Sequence, residues 1–428
     1  MITAKTHKKK FLNIYIVITL IFIILFVINI INHKKNKQKI NIINDVKSHY
    51  SNNVITNTES KLYNSKGKVV GKISKNINLK LAKQTIDENT NKFKLEKIES
   101  LEDIYILYNN VEKFKEKPKE QINRYKKYIP FNENIITKDK TSFYSEDDQL
   151  LYTLNSSFTF NILIKDDNRF GIEFNNQLLY IHKEDIERIE EHDNTSLHNS
   201  SGVAVLNYHF FYDESDEEEA AGCKEDICAS KKQFKTHLDY IKEHDIFTLT
   251  MHELELYLDG KIRLPKSVLI TIDDGGRTES GLELLDEYKM NATVFLVTSW
   301  FNPDEYYSSE YIEFHSHSHD LHEAGLCPGR LGSGFTCLPR ETLLSDLKKS
   351  REALHGSTAF CYPFYEHNAY SEEIIKEAGF TMAFIGEKYT SYGYQLATVG
   401  MDKFKIPRFV VVDYTTMKEF DKYFNEIK

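Results

Sequence analysis

The chain has 428 residues, 41% hydrophobic and 28% charged, which gives it the apolar mass for a sizeable core and excludes wholesale disorder. Its net charge of −9 hides a split, because residues 1–40 carry eight lysines and no acid, leaving −17 on the remaining 388 residues. So acidic a body argues against a nucleic-acid partner, and five cysteines without a CxxC pair exclude a cysteine-rich zinc module.

Phe11–Asn32 is a 22-residue run without a charge, dominated by Ile, Leu, Val and Phe. As a helix it would be ~33 Å long, enough to cross a bilayer core. It exits into Asn32-His33-Lys34-Lys35 with no small-residue cleavage site. The expectation is therefore an uncleaved anchor at 11–32, a cytoplasmic tail at 1–10 and the bulk of the chain outside the membrane. A polar stalk follows at 33–56.

Next comes an internal repeat at an offset of 81: Lys61–Ile73 has its counterpart in Ser142–Leu154. Apolar alternation broken at Asn64–Gly67, Ser145–Asp148 and Asp166–Asn168 predicts short antiparallel strands. Two small β-barrels are expected, at 57–116 and 136–195, joined by a polar linker at 117–135. They resemble bacterial Src-homology-3-like modules, which implies contacts with cell-wall material. Plain spacers are the alternative.

From residue 200 the pattern changes to that of an α/β domain extending to 428. Val203–Tyr208, Val268–Ile272, Ala292–Val297, Ile312–His315, Ala359–Tyr362, Met382–Ile385 and Phe409–Val412 read as strands. Lys231–His244, Glu279–Lys289, Glu341–His355, Ser371–Ala378 and Thr416–Ile427 read as helices. This alternation predicts a parallel sheet, open or closed, with chemistry at the C-terminal strand ends.

Four features concentrate there. The second strand runs into Asp273-Asp274-Gly275-Gly276. Adjacent carboxylates at a strand end are costly unless something neutralises them, so one suits a metal and the other a base. The segment His315-Ser-His317-Ser-His319-Asp-Leu-His322 holds four of the sixteen histidines within eight residues. On a strand, 315, 317 and 319 would share a face, and imidazole with carboxylate suits zinc and related ions. Tyr208-His209 ends the first strand, and Cys361-Tyr362-Pro363-Phe364 ends another.

Together, in this order, the four motifs over Val203–Asp413 resemble those of the polysaccharide deacetylases of carbohydrate esterase family 4, the NodB-homology group. The likeness is nearest to the subgroup acting on poly-N-acetylglucosamine. The resemblance implies a distorted (β/α) barrel and metal-dependent hydrolysis of N-acetyl groups on a glycan, peptidoglycan or poly-N-acetylglucosamine, with release of acetate. It assigns Asp273 as general base, Asp274 with His317 and His322 as ligands of a divalent metal, and His209 as catalytic acid. The metal implied is zinc first, with cobalt, nickel or iron as substitutes. A second register, His315 with His319, matches the wider family. Tyr362, Pro363 and Phe364 match a groove motif whose backbone N–H assists the oxyanion.

The departures are Ile272, Gly276 and Cys361, the last standing where many members have Ala or a base-orienting Arg. Arg408 is the candidate to supply that charge. Asp213–Cys228 and Gly325–Arg340 read as insertions beside the site. Outside the membrane, local bridges Cys223–Cys228 and Cys327–Cys337 are one pairing of three, with Cys361 free. The rival to an enzyme is a glycan-binding protein on a degenerate esterase fold.

Overall fold

The computed structural model describes residues 53–87, 92–95, 104–113, 124–192, 199–223, 227–386 and 395–428. The expected tail and anchor, and nearly all of the stalk, lie outside them. Among the described residues no helix is long and apolar enough to cross a membrane. The chain divides into two units: residues 1–121, 138–158 and 174–177 form one, and 122–137, 159–173 and 178–428 the other.

In the first unit the repeat is visible as two hairpins, Ser60–Tyr63 with Val69–Ile73 and Thr141–Tyr144 with Leu150–Leu154. Their turns place Gly67 and Asp148, 81 residues apart, in the same left-handed conformation (φ 76° and 59°). The hairpins join each other edge to edge, Tyr152 opposite Ile73. The second repeat's hairpin thus pairs with the first. An exposed strand edge is satisfied by the nearest complementary edge, here the first repeat. The strand Glu133–Thr137 falls in the second unit, where it pairs with Ile186–Glu191 and Thr159–Asn161.

The sheet of the second unit is built from β-branched and aromatic runs buried on both faces, the mark of a parallel sheet covered by helices. Its main strands are β1 (Val203–Tyr208), β2 (Ser267–Ile272), β3 (Ala292–Leu296), β4 (Ile312–Ser316), β5 (Ala359–Cys361), β6 (Met382–Phe384) and β7 (Phe409–Val410), and a short eighth, Phe247–Thr248, pairs with β2 off this path. The main strands lie in the order β6-β5-β4-β3-β2-β1-β7, all parallel. Phe384 also bridges Ile406, just ahead of β7, so the sheet curls towards closure.

Helices α1 (Lys231–Glu243), α2 (Met251–Leu258), α3 (Glu279–Tyr288), α4 (Arg340–Ala353), α5 (Ala369–Glu377) and α6 (Met417–Asn425) accompany it. In α1 the buried stripe is Phe234, His237, Leu238 and Ile241, and Ser230 caps the first turn by accepting from Gln233 N–H at 3.1 Å. The α2 helix escaped the sequence reading although Thr250 and Glu253 form a capping box ahead of it. Both local disulfides, Cys223–Cys228 and Cys327–Cys337, are present, and Cys361 is a buried free thiol.

Candidate metal and catalytic centre

The chemistry-bearing residues sit where strands run out into loops. His209 follows β1, Asp273 and Asp274 follow β2, His317 follows β4, and Tyr362–Tyr365 follow β5. Register brings the first two groups level: Asn207 lies opposite Thr271, Tyr208 opposite Ile272, and Asp273 N–H donates to the Tyr208 carbonyl at 2.9 Å.

Four non-glycine residues here adopt left-handed backbone: Asp274 (φ 71°), Ser318 (88°), Phe364 (58°) and Tyr365 (61°). Each costs on the order of 1–3 kcal/mol, a cost that clusters at functional loops. Gly275 is required where it stands: its φ is 94°, and a Cβ would meet Leu296 at 2.6 Å and Phe301 at 2.9 Å. A Cβ on Gly276 would reach no nearer than 3.4 Å, to Phe210, so there is room for a side chain.

Asp274 Oδ1 lies 3.1 Å from His317 Nε2 and 3.2 Å from His322 Nε2. His317 Nδ1 donates to the Cys361 carbonyl at 2.9 Å, which leaves the lone pair on Nε2. Asp274 Oδ1 is buried without a hydrogen-bond partner. Three potential ligand atoms thus converge, and two imidazoles with a carboxylate suit zinc or a similar divalent ion. Burial opposes charge on His317, but Cys361 and Asp274 outweigh it and hold the imidazole well above its ordinary value. Without a metal, a proton takes the cation's place. Burial would likewise raise Asp274, and the two imidazoles instead keep it far below the carboxylate range.

The alternative histidines are engaged elsewhere. His315 Nδ1 pairs with Ser357 Oγ at 2.9 Å and His319 Nδ1 with Thr298 Oγ1 at 3.0 Å. The expected common face of 315, 317 and 319 does not form. Strand β4 ends at Ser316, and the left-handed Ser318 breaks the alternation.

Asp273 is fully buried, and Arg408 grips both its oxygens. Cys361 Sγ lies 3.3 Å from Asp273 Oδ2 and 3.0 Å from Arg408 Nη2. Burial alone would raise this carboxyl, but Arg408, then His317 and His209, outweigh it and hold it at about 2. Burial works against the charge of Arg408, and Asp273 more than offsets that.

His209 Nε2 stands 3.8 Å from Asp273 Oδ2 and 3.2 Å from Tyr365 Oη, whose hydroxyl donates to Asn207 Oδ1 at 2.8 Å. Its Nδ1 is buried without a partner. Burial pushes this imidazole below its ordinary value, against the pull of Asp273 and Asp274.

The groove motif is only partly placed as expected. Tyr362 is fully buried, its hydroxyl donates to the Phe404 carbonyl at 3.2 Å, and its backbone N–H is given to Phe384. Pro363 has no N–H. Of the three, only Phe364 faces the centre, with its ring 4.7 Å from that of His322. Sequence reasoning assigned no role to Tyr365 or Asn207. Tyr365 adjoins the noted motif, but nothing in the sequence announces its left-handed turn.

Residues 261–383 match the family model described as polysaccharide deacetylase. That span holds Asp273, Asp274, His317, His322 and Cys361–Tyr365, whereas His209 and Arg408 fall outside it. Among curated proteins, the chain is similar to the poly-beta-1,6-N-acetyl-D-glucosamine N-deacetylase of Staphylococcus aureus, 28% identical over 206 residues, covering 43% of this chain and 68% of the relative. Its counterpart from Staphylococcus epidermidis is 28% identical over 233 residues, 48% of this chain and 77% of the relative. Among solved structures, IcaB from Ammonifex degensii aligns with 52% of this chain and 97% of its own, at 21% identity and a TM-score of 0.42.

Proposed function

We propose that the protein removes N-acetyl groups hydrolytically from N-acetylglucosamine units of a surface polysaccharide, poly-N-acetylglucosamine before peptidoglycan. The observation that carries this reading is the convergence of Asp274, His317 and His322 beside a carboxylate, Asp273, clamped by a buried arginine. The substrate preference follows the two staphylococcal relatives, whose names specify the β-1,6-linked polymer.

Asp274, His317 and His322 would hold a divalent cation, zinc by its donor set, which polarises a carbonyl and lowers the pKa of water from about 15.7 to about 7. The chain's own residues do the rest. Asp273 accepts the proton of the attacking water. Arg408 keeps it ionised, as a proton acceptor must be. Arg408 and Cys361 fix its orientation. Tyr362 spends its N–H on Phe384 and Pro363 has none, which leaves the Phe364 N–H as the groove trio's candidate to meet charge developing on the carbonyl oxygen. His209, in its protonated form, hands a proton from Nε2 to the departing nitrogen, so the C–N bond breaks to acetate and a free amine.

The anchor at 11–32 would hold this domain outside the cell, with the β-strand region reaching towards the wall. The apolar run with its flanking lysines and the two disulfides support that placement. The test is acetate release by the full-length protein from poly-β-1,6-N-acetylglucosamine and from peptidoglycan, with and without chelator. Release from the former, abolished by chelator and restored by zinc, is expected. Chelator-insensitive release contradicts the mechanism, and no release from either polymer favours a glycan-binding role.

A further inference from the structure

Trp300 is the only tryptophan of the chain, and it is 52% exposed. A lone exposed apolar side chain needs no explanation by itself. This one is held against the centre. Its ring meets that of His322 at 5.3 Å, the planes 72° apart. The loop that carries it, directly after β3, is tied to the histidine segment: Thr298 N–H donates to Ser318 O at 3.2 Å, and Ser299 N–H to His319 O at 2.9 Å. Thr298 Oγ1 pairs with His319 Nδ1, and Trp300 N–H closes a turn onto Val297 O at 3.0 Å. The loop is therefore pinned so that the indole lies one ring away from a residue of the metal triad, with half its area open to solvent. Phe364 flanks the same imidazole at 4.7 Å.

We propose that Trp300 is a stacking platform for a pyranose ring, the sugar next to the unit being deacetylated. This rests on the deacetylase reading and adds to it a subsite that selects polymer over isolated sugar. The physical ground is the negative π-face of an indole, which attracts the positively polarised C–H bonds on the apolar face of a sugar ring. A rigid aromatic surface binds at little cost in side-chain entropy. Because the platform adjoins His322, a sugar stacked there holds its neighbour over Asp274 and Asp273.

The test uses the full-length protein and a pentamer of β-1,6-linked N-acetylglucosamine. As Trp300 is the sole indole, its emission reports this site alone, and a saturable shift on adding the pentamer is expected. Trp300→Ala should lower kcat/KM on the pentamer roughly tenfold or more, chiefly through KM. It should leave hydrolysis of a small aryl acetate and bound zinc unchanged, and Trp300→Phe should recover most of the loss. Equal losses on pentamer and aryl acetate would mean the indole merely supports His322 and would overturn the proposal, as would an unchanged emission. Should the protein bind the pentamer with a saturable shift yet release no acetate, the deacetylase reading falls and the platform stands.

Discussion

Arg408 closes on Asp273 with both arms of its guanidinium, Nη1 to Oδ1 at 2.7 Å and Nη2 to Oδ2 at 2.8 Å, at a point where neither side chain meets solvent. The arginine arrives from just ahead of β7, and its Nε is spent on the Ile385 carbonyl at 3.1 Å. A planar fork fits this task and an ammonium does not. Arg408→Lys is expected to lower kcat at least tenfold with little change in KM. Arg408→Met leaves a buried carboxylate unpaired and should cost about 3–5 kcal/mol in urea unfolding. Adding Asp273→Asn to that variant should recover part of the stability and none of the activity.

Metal content separates the two histidine registers. His317→Ala and His322→Ala should each lose tightly bound zinc, measured by atomic absorption after dialysis. His315→Ala and His319→Ala should retain it, since their imidazoles bond Ser357 and Thr298. Zinc lost from the second pair and kept by the first reverses the assignment of the triad.

Stability in mild acid should depend on His237, which lies behind Tyr208 and has no part in the proposed mechanism. It is fully buried, stacked on Phe420 at 4.1 Å, with Nδ1 2.9 Å from the Tyr208 hydroxyl. Burial pushes its pKa down to about 4, below the unfolded value of about 6.5. Both states are neutral above pH ~6.5, so the full stability is present there. As pH falls towards 4 only the unfolded chain takes up the proton, and about 3 kcal/mol is lost. Urea midpoints at pH 7.5 and 4.5 measure the loss, which should shrink in His237→Gln.

Ser318 offers a substitution expected to stabilise. It is left-handed at φ 88°, and its buried hydroxyl has no partner. Ser318→Gly relieves both, for a gain of roughly 1 kcal/mol. A calorimetric midpoint that falls instead would show that the hydroxyl has a partner in solution.

What could be read from the sequence follows from what each feature depends on. The seven main strands of the sheet announce themselves because β-branched runs buried on both faces carry their signal locally. Asp273, Asp274 and the histidine segment were legible because residue type and spacing carry the chemistry. The end of β4 at Ser316 was not, since it turns on a left-handed serine that no periodicity foretells. Tyr365 and Trp300 depend on where loops are pinned by bonds to distant backbone. The division of the strands at 136–195 depends on which edge meets which, a matter of tertiary competition.

His322 begins the segment that the Cys327–Cys337 bridge closes, and Glu366, one residue past Tyr365, accepts the N–H groups of Leu331, Gly332 and Ser333 at 2.6–3.0 Å from within that bridged loop. The bridged loop is therefore ordered by a covalent bond and a carboxylate at once, and a cation held by His322 would order the residues just ahead of it. Its loss of freedom is incurred once and shared among them, so the three are thermodynamically linked. On that linkage, oxidising surroundings would raise the affinity for metal, and a bound metal would favour the disulfide in turn. An exposure history — first to oxidant, then to zinc, or the reverse — leads to the same finished centre, whereas a chain kept reduced holds its third ligand on a looser tether.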